Sequence, residues 1–455
     1  MYHIILLMFK NFSKLFAKAG IDKAIALTVL SRVIQAAGGI ISIFFIARYL
    51  SPDEQGYYYT FASIIAIQIF FELGLSGIIT QYTAHEFAHL NWENNAVVGE
   101  EYYKSRLSSL LRFCIKWFGV ISLGLFFILL AAGFIFFNKF NRNLSVEWKA
   151  PWVILSLSTA LNLFIDPILA YFEGLGEVQD MAQVRLFQKT VTVILLFVFF
   201  VLGFKLYSGA LDSLIAILIN YVQIIFSDRL KKLQVIWKLE KKWKIEYMKE
   251  IFPLQWRIAL SWISGYFIFQ LFNPILFATG GAVVAGQMGM TLQALNGISS
   301  ISMSWISTKV PLFSSYIAKK EYQILDLTFN KTVKQLSIIS FVMLSTFVIF
   351  VFGLYLFKLD VSSRFLPLIP LIFLSFITLI NQYVFSWATY LRCHKKEPFL
   401  YLSLITGLLC ALSTCIFGNI WGLMGLVMGY LCISTLVSFP WAFYIFKKSK
   451  VLWHQ

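Results

Sequence analysis

The chain has 455 residues, of which 59% are hydrophobic and 18% aromatic, while only 13% are charged; its mean hydropathy is +0.76. A soluble domain carries roughly 25% charged residues and breaks its apolar runs after about 8 residues, so this composition excludes a water-soluble globular fold. The net charge of +16 would suggest nucleic-acid binding in a soluble protein, but the cations here fall almost wholly in short segments between apolar runs, where they set membrane topology.

The first nineteen residues place an apolar stretch before Lys10, Lys14 and Lys18. That order is the reverse of a signal peptide and predicts an uncleaved amphipathic helix on the membrane surface over residues 1–23. Twelve apolar spans follow, near residues 24–50, 56–79, 108–137, 151–172, 181–202 and 211–226, then 255–278, 282–307, 336–357, 366–390, 399–417 and 421–446. At 1.5 Å per residue each can cross about 30 Å of hydrocarbon. The expected fold is therefore an all-α integral membrane protein of about twelve transmembrane helices.

Alternate connections differ in basic content. One set holds Lys10, Lys14, Lys18 and Lys23, then Lys104 and Arg106, the run from Arg229 to Lys249, Lys309, Lys319, Lys320, Lys331 and Lys334, Arg392, Lys395 and Lys396, and Lys447, Lys448 and Lys450. The other offers only Lys139, Arg142, Lys149, Lys205, Lys358 and Arg364. The imbalance, about four to one, predicts that both termini face the cytoplasm. Loop lengths repeat in order on either side of the basic segment 229–254, so residues 24–228 and 255–446 read as two pseudo-symmetric six-helix lobes with a substrate path between them, and 447–455 as a cytoplasmic tail.

Charges within apolar spans are expensive and mark candidate functional sites. Arg32 lies roughly 12 Å from the inner end of the first span, followed by Gln35, Gly39 and Ser42 on one stripe. Glu72 in the second span and Asp166 in the fourth fall at a similar depth, and Arg185 and Lys189 lie about 6 and 12 Å from the inner end of the fifth. These five predict a cationic vestibule for an anionic head group, with the two acids as ion or proton sites. The competing reading is an ion-pair network that locks helix to helix, with Arg185 reaching the interface. The second half carries Arg257, Gln270, Asn273, Gln287, Gln293, Asn296, Asn381 and Gln382 but no intramembrane acid. Those amides suit either a hydroxyl-rich sugar or hydrogen bonding between helices.

His85-Glu86-Phe87-Ala88-His89 is a literal H-E-x-x-H, the zinc protease spacing. It begins past the inner end of the second span without an evident third ligand, so an amphipathic helix beside the membrane is the preferred reading and no metal is expected. The five cysteines stand in no metal-ligand spacing. There is no P-loop pattern and no large external loop to hold a catalytic domain, so neither an ATPase nor a glycan polymerase or ligase is expected, and no cofactor is implied.

The stretch Ser31-Arg32-Val33-Ile34-Gln35 through Ile46-Ala47-Arg48-Tyr49-Leu50-Ser51-Pro52-Asp53-Glu54-Gln55-Gly56-Tyr57-Tyr58, continued by Phe71-Glu72-Leu73-Gly74-Leu75 and Gln81-Tyr82-Thr83-Ala84-His85-Glu86, resembles bacterial polysaccharide flippases. These are the Wzx-type O-antigen flippases of the polysaccharide transport family, within the multidrug/oligosaccharidyl-lipid/polysaccharide exporter superfamily. The motif likeness covers about the first 90 residues. It implies a bacterial inner-membrane protein, not an enzyme, that moves an undecaprenyl-diphosphate-linked oligosaccharide to the outer leaflet by alternating access. Arg32 and Arg48 match that pattern by position, whereas Arg185, Lys189 and Arg257 join the expected substrate-binding set, and Glu72 and Asp166 the ion-coupling set, from depth. The implied partners are the lipid-linked glycan, the bilayer, and the polymerase and chain-length regulator of the same pathway, with no nucleic acid. The rival within the superfamily is an ion-coupled drug exporter, which would favour an acidic cavity.

Overall fold

The computed structural model describes residues 23–141, 145–240, 242–394 and 396–454, without the side chains of 23–25, 29, 254 and 257. The amphipathic segment expected at the N-terminus lies outside these residues. With no water in the bilayer core, backbone groups must pair within their own segment, and the apolar runs accordingly form helices. The order is α1 (Lys23–Tyr49), α2 (Pro52–Ile65), a 3-10 turn (Ala66–Gln68), α3 (Ile69–Glu72), α4 (Leu75–Phe87), β1 (Leu90–Glu93), β2 (Ala96–Gly99), α5 (Glu101–Phe140), α6 (Lys149–Gly174), α7 (Val178–Val201), α8 (Tyr207–Ile225), α9 (Arg229–Lys238) and α10 (Tyr247–Glu250). Then come α11 (Phe252–Phe269), α12 (Phe272–Gly280), α13 (Ala282–Ser307), α14 (Val310–Ala318), α15 (Tyr322–Leu356), α16 (Leu368–Arg392), α17 (Leu400–Cys432) and α18 (Phe439–Trp453).

Among the described residues, ten helical stretches are long and apolar enough to cross a membrane. One of them, Leu400–Trp453, has 54 residues, about 80 Å of helix, and breaks at Gly422, whose φ of 57° and ψ of −137° end the eleventh expected span and start the twelfth. The eighth, α13, is 26 residues long but more polar. With these the expected count of about twelve is met.

Three local departures from the expected spans have clear causes. The second span starts at Pro52, where Ser51 and Glu54 close a capping box that fixes the helix start. It is also discontinuous: Leu73 (φ 50°) and Gly74 (φ 70°) both lie in the left-handed region and divide α3 from α4. Beyond Phe87 the chain does not continue as a juxtamembrane helix but turns into an antiparallel hairpin pairing Leu90 with Gly99 and Glu93 with Ala96. Asn94 (φ 47°) and Asn95 (φ 63°) form its turn, the left-handed pair that matches strand twist in two-residue hairpins.

The described chain forms two compact units. The first contains residues up to Gly38, Gln68–Ile135 and Trp148–Ile258; the second contains Gly39–Ile67, Phe136–Glu147 and everything from Ala259 onward. In the first unit α6 is central. Trp152, Tyr171 and Phe172 on it are fully buried, Trp152 Nε1 donates to the Leu129 carbonyl at 3.1 Å, and Tyr171 Oη donates to that of Leu107 at 3.0 Å. On its other side Thr80 Oγ1 of α4 donates to the Ala170 carbonyl at 3.1 Å.

In the second unit α13 is central and packs on α2 through small residues. A methyl group at Gly56 would overlap the Ala282 carbonyl, and one at Gly286 would sit 2.9 Å from the Gly56 nitrogen. Close backbone approach of this kind is how membrane helices gain dispersion contact without a hydrophobic driving force. An aromatic cluster of Phe313, Phe329, Trp387, Tyr390 and Phe446 fills the far end of this unit.

Candidate functional site

The charges expected to form the site divide unevenly between the units. Arg32, Glu72, Asp166, Arg185, Lys189 and Arg257 belong to the first, and Arg48, exposed in the last turn of α1, belongs to the second. Arg257 takes its place on α11.

Within the first unit α1 packs on α7. Leu27 meets Ala182 and Leu186, supported by Leu30 and Ile34, and a Cβ at Gly38 would stand 2.7 Å from a Val193 methyl. Helical spacing then turns Arg32 and Gln35 away from that contact, and both are exposed. The helix beneath carries Arg185, exposed, and Lys189, half-buried. Arg185 Nη2 lies 2.8 Å from Glu173 Oε1, so its nearest acid is at the end of α6 and not Asp166.

Asp166 sits on α6 before Pro167, whose missing N–H leaves the Leu163 carbonyl without its helical donor. Asn162 Nδ2 donates to Asp166 Oδ2 at 2.6 Å, and the carboxylate lies within Coulombic reach of Glu72, Arg185 and Lys189. Glu72 is the last residue of α3, at the left-handed break. Gln68 falls in the 3-10 turn and Ser76 in the first turn of α4, so the regular helical spacing expected around Glu72 does not hold. The break has its own chemistry: the first N–H groups of α4 have no side-chain cap, and a helix start presents them, with a partial positive charge, to an anion.

Asp212 on α8 belongs to the same electrostatic group, because it lies within reach of Lys189. Its Oδ1 is buried without a hydrogen-bond donor among the described residues. The sequence conceals it, because an apolar span counted from residue 211 leaves Asp212 at the rim; the helix starts at Tyr207, a full turn earlier.

The H-E-x-x-H residues are engaged otherwise. Glu86, 2% exposed at its side chain, accepts from Arg106 Nε at 2.9 Å. Arg106 also pairs with Glu250 at 2.5 Å, while Tyr82 Oη donates to the Glu250 carbonyl at 2.6 Å. His85 is 75% exposed at its side chain, and His89 stacks on Tyr103 with ring centroids 4.0 Å apart. A glutamate held by a guanidinium is an ion-pair partner, poorly placed to act as a base. The hydrogen bonds to Glu250 come from Arg106 first and hold its carboxyl below the usual carboxylate range.

The basic segment after α8 is docked, not free. Ile236 of α9 is fully buried, Arg229 pairs with Glu177 at 3.0 Å, and Ser105 Oγ donates to the Trp243 carbonyl at 2.9 Å while accepting from its N–H at 2.8 Å.

In the second unit the buried amides bond to other helices. Gln293 Nε2 donates to Ser42 Oγ at 2.8 Å, Asn273 Nδ2 to Ser63 Oγ at 3.0 Å, Asn381 Nδ2 to Tyr430 Oη at 2.9 Å, and Ser340 Oγ to Gln382 Oε1. These four amides join helices, whereas Gln287 bonds the Ser363 carbonyl and Asn296 is exposed.

No family model matches the sequence, and no curated protein does. Solved structures do match. An inward-facing multidrug resistance MATE family transporter of the MOP superfamily superposes with a TM-score of 0.66 at 13% identity, over 93% of this chain and 99% of that one. The MATE multidrug transporter DinF-BH gives 0.62 at 14% over 95% and 96%. The lipid II flippase MurJ, in an inward closed conformation, gives 0.61 at 14% over 94% and 90%. The chain therefore has the fold shared by these transporters, spanning nearly the whole of each.

Proposed function

We propose that this protein is a flippase that carries an undecaprenyl-diphosphate-linked oligosaccharide repeat unit, of the kind used for O-antigen or other surface polysaccharide, from the cytoplasmic to the periplasmic leaflet of a bacterial inner membrane. The observation that carries the reading is the exposure of Arg32 and Gln35 on a membrane helix of the unit that also holds Arg185 and Lys189. Exposure to lipid would cost an arginine several kcal/mol, so Arg32 belongs in a water-filled cavity, where it suits a diphosphate. Arg48 and Arg257 complete the proposed substrate set. Alternating access by the two six-helix lobes would move the head group while the polyprenyl tail stays in lipid. Glu72 and Asp166, with Asp212 added, are the proposed proton or sodium sites. Both termini are proposed to be cytoplasmic, and the polymerase and chain-length regulator of the pathway to be partners.

A second reading, an ion-coupled exporter of cationic compounds, is favoured by a different observation: Asp166, Glu72 and Asp212 place three acids in one unit, and two of the similar folds are multidrug transporters. One experiment separates the readings. A flippase-deficient strain expressing the wild type, Arg32→Ala or Glu72→Gln is assayed for surface glycan, accumulated lipid-linked unit and dye efflux. The flippase reading expects restoration by the wild type and loss in both variants. Dye efflux without restored glycan identifies the exporter, and full restoration by correctly inserted variants refutes the charged-vestibule mechanism.

A further inference from the structure

A second cationic site lies on the surface of the first unit. Arg112, Lys116 and Lys244, with Ser105, Ser109, Phe113, Trp117, Val120 and Trp243, line a groove of about 580 Å³. Arg112 and Lys116 are one turn apart on α5, and Lys244 comes from the docked segment that Ser105 holds through Trp243. Among the described residues none of the three cations has a carboxylate within ion-pair distance. Arg112 spends Nη2 on the neutral carbonyls of Trp237 and Leu239, the latter at 3.0 Å, and its guanidinium stands 5.5 Å from the Trp237 ring. Neutral acceptors fix the group in place but leave its charge uncompensated.

The depth of the groove follows from α5 itself. Its 40 residues make about 60 Å of helix, twice the hydrocarbon thickness. From Arg112 to Lys139 is about 40 Å, the span of a bilayer with its headgroup regions. Arg112 and Lys116 therefore stand at one headgroup level, flanked by Trp117 and Trp243, the residue type enriched there. From that level an apolar path runs on along the same helix face, through Val120, Leu123 and Phe127, each more than half exposed.

We propose that this groove holds an anionic phospholipid, with its phosphodiester between Arg112, Lys116 and Lys244, its glycerol region against the two indoles, and an acyl chain along Val120, Leu123 and Phe127. A soluble phosphate would use the cations and leave the apolar path empty, whereas a phospholipid uses both. The bound lipid would fasten α5 to the segment that follows α8.

The test uses the full chain in nanodiscs of phosphatidylcholine containing a minority of phosphatidylglycerol, with tightly retained lipid measured by mass spectrometry after detergent washing. The wild type is expected to retain phosphatidylglycerol at least about tenfold over its share of the mixture. Lys116→Gln/Lys244→Gln, which changes two exposed side chains and leaves the Arg112 carbonyl bonds intact, is expected to lose that enrichment. Lys358→Gln, outside the groove, is the control and keeps it. Equal retention of both lipids by the wild type, or unchanged enrichment in the double variant, overturns the proposal. So does displacement of the lipid by millimolar inorganic phosphate, which would make this a site for a soluble anion. Should the double variant fold poorly, Val120→Asp tests the acyl path and is expected to lower retention while keeping all three cations.

Discussion

Arg106 reaches Glu86 through Nε at 2.9 Å and Glu250 through Nη2 at 2.5 Å, so one guanidinium joins the end of the second span to the segment that leads into α11. Glu86 is nearly inaccessible, and breaking a buried pair from one side leaves an uncompensated charge at about 3–5 kcal/mol. Arg106→Ala is expected to lower the Tm of the detergent-solubilised protein sharply, and Arg106→Ala/Glu86→Gln to recover a large part of the loss. If the double variant is no more stable than the single, the charge of Glu86 is not what Arg106 compensates.

Gly56 is expected to tolerate no side chain, because the Ala282 carbonyl occupies the place of its Cβ. Gly56→Val should cost about 1–3 kcal/mol through forced separation of α2 and α13, read as a lower Tm. Gly77→Val, where a Cβ meets nothing within 4 Å, is the matched control.

Acid should loosen the far end of the second unit. His454 stacks on Tyr322 with centroids 4.2 Å apart, lies 3.8 Å from Asp326 and 3.2 Å from the Tyr390 hydroxyl, while Lys450 pairs with Asp326 at 2.8 Å. Burial holds both His394 and His454 below the usual histidine range; for His454 the attraction of Asp326 only partly offsets it, and for His394 Lys396 and His454 add to it. A depressed folded value means that their contribution to stability is present above the ordinary histidine value, about 6.5, and is lost as pH falls through the folded value. The Tm should therefore fall on acidification below about pH 6.5, and His454→Phe, which keeps the stacking, should flatten the fall.

Asp212→Asn is expected to separate transport from stability. Removing a buried charge whose Oδ1 has no donor among the described residues should leave the Tm unchanged or raise it by about 1 kcal/mol equivalent, while transport falls at least about tenfold if the carboxylate carries the coupling ion. A variant that is stable and fully active excludes Asp212 from coupling.

The twelve spans were legible because a bilayer permits little besides helices, and apolar run length is nearly all that decides them. Spacing along a helix follows from the same regularity, 1.5 Å per residue, and it groups Asp166 with Arg185 and Lys189, which lie within Coulombic reach of it. It failed where regularity failed. Leu73–Gly74 sits within an apolar run and carries no change of polarity, so the break was invisible apart from the glycine. Asn94-Asn95 was a turn signal between Trp92 and Val97 that the nearby H-E-x-x-H spacing overshadowed. The pairing of Arg106 with Glu250 joins residues 144 apart, and nothing local to either points to the other.

The interruption at Leu73–Gly74 also bears on how the protein is made. A continuous helix can enter lipid alone, since all its peptide groups pair internally, but each unpaired group exposed to hydrocarbon adds several kcal/mol. The second span has such groups at its centre, and α4, just past them, packs on α6, where Thr80 meets the Ala170 carbonyl. During synthesis that fourth span emerges from the ribosome some ninety residues after its partner. Until it arrives the second span lacks its shelter, so its stable lodging in the membrane is expected to depend on a segment not yet translated.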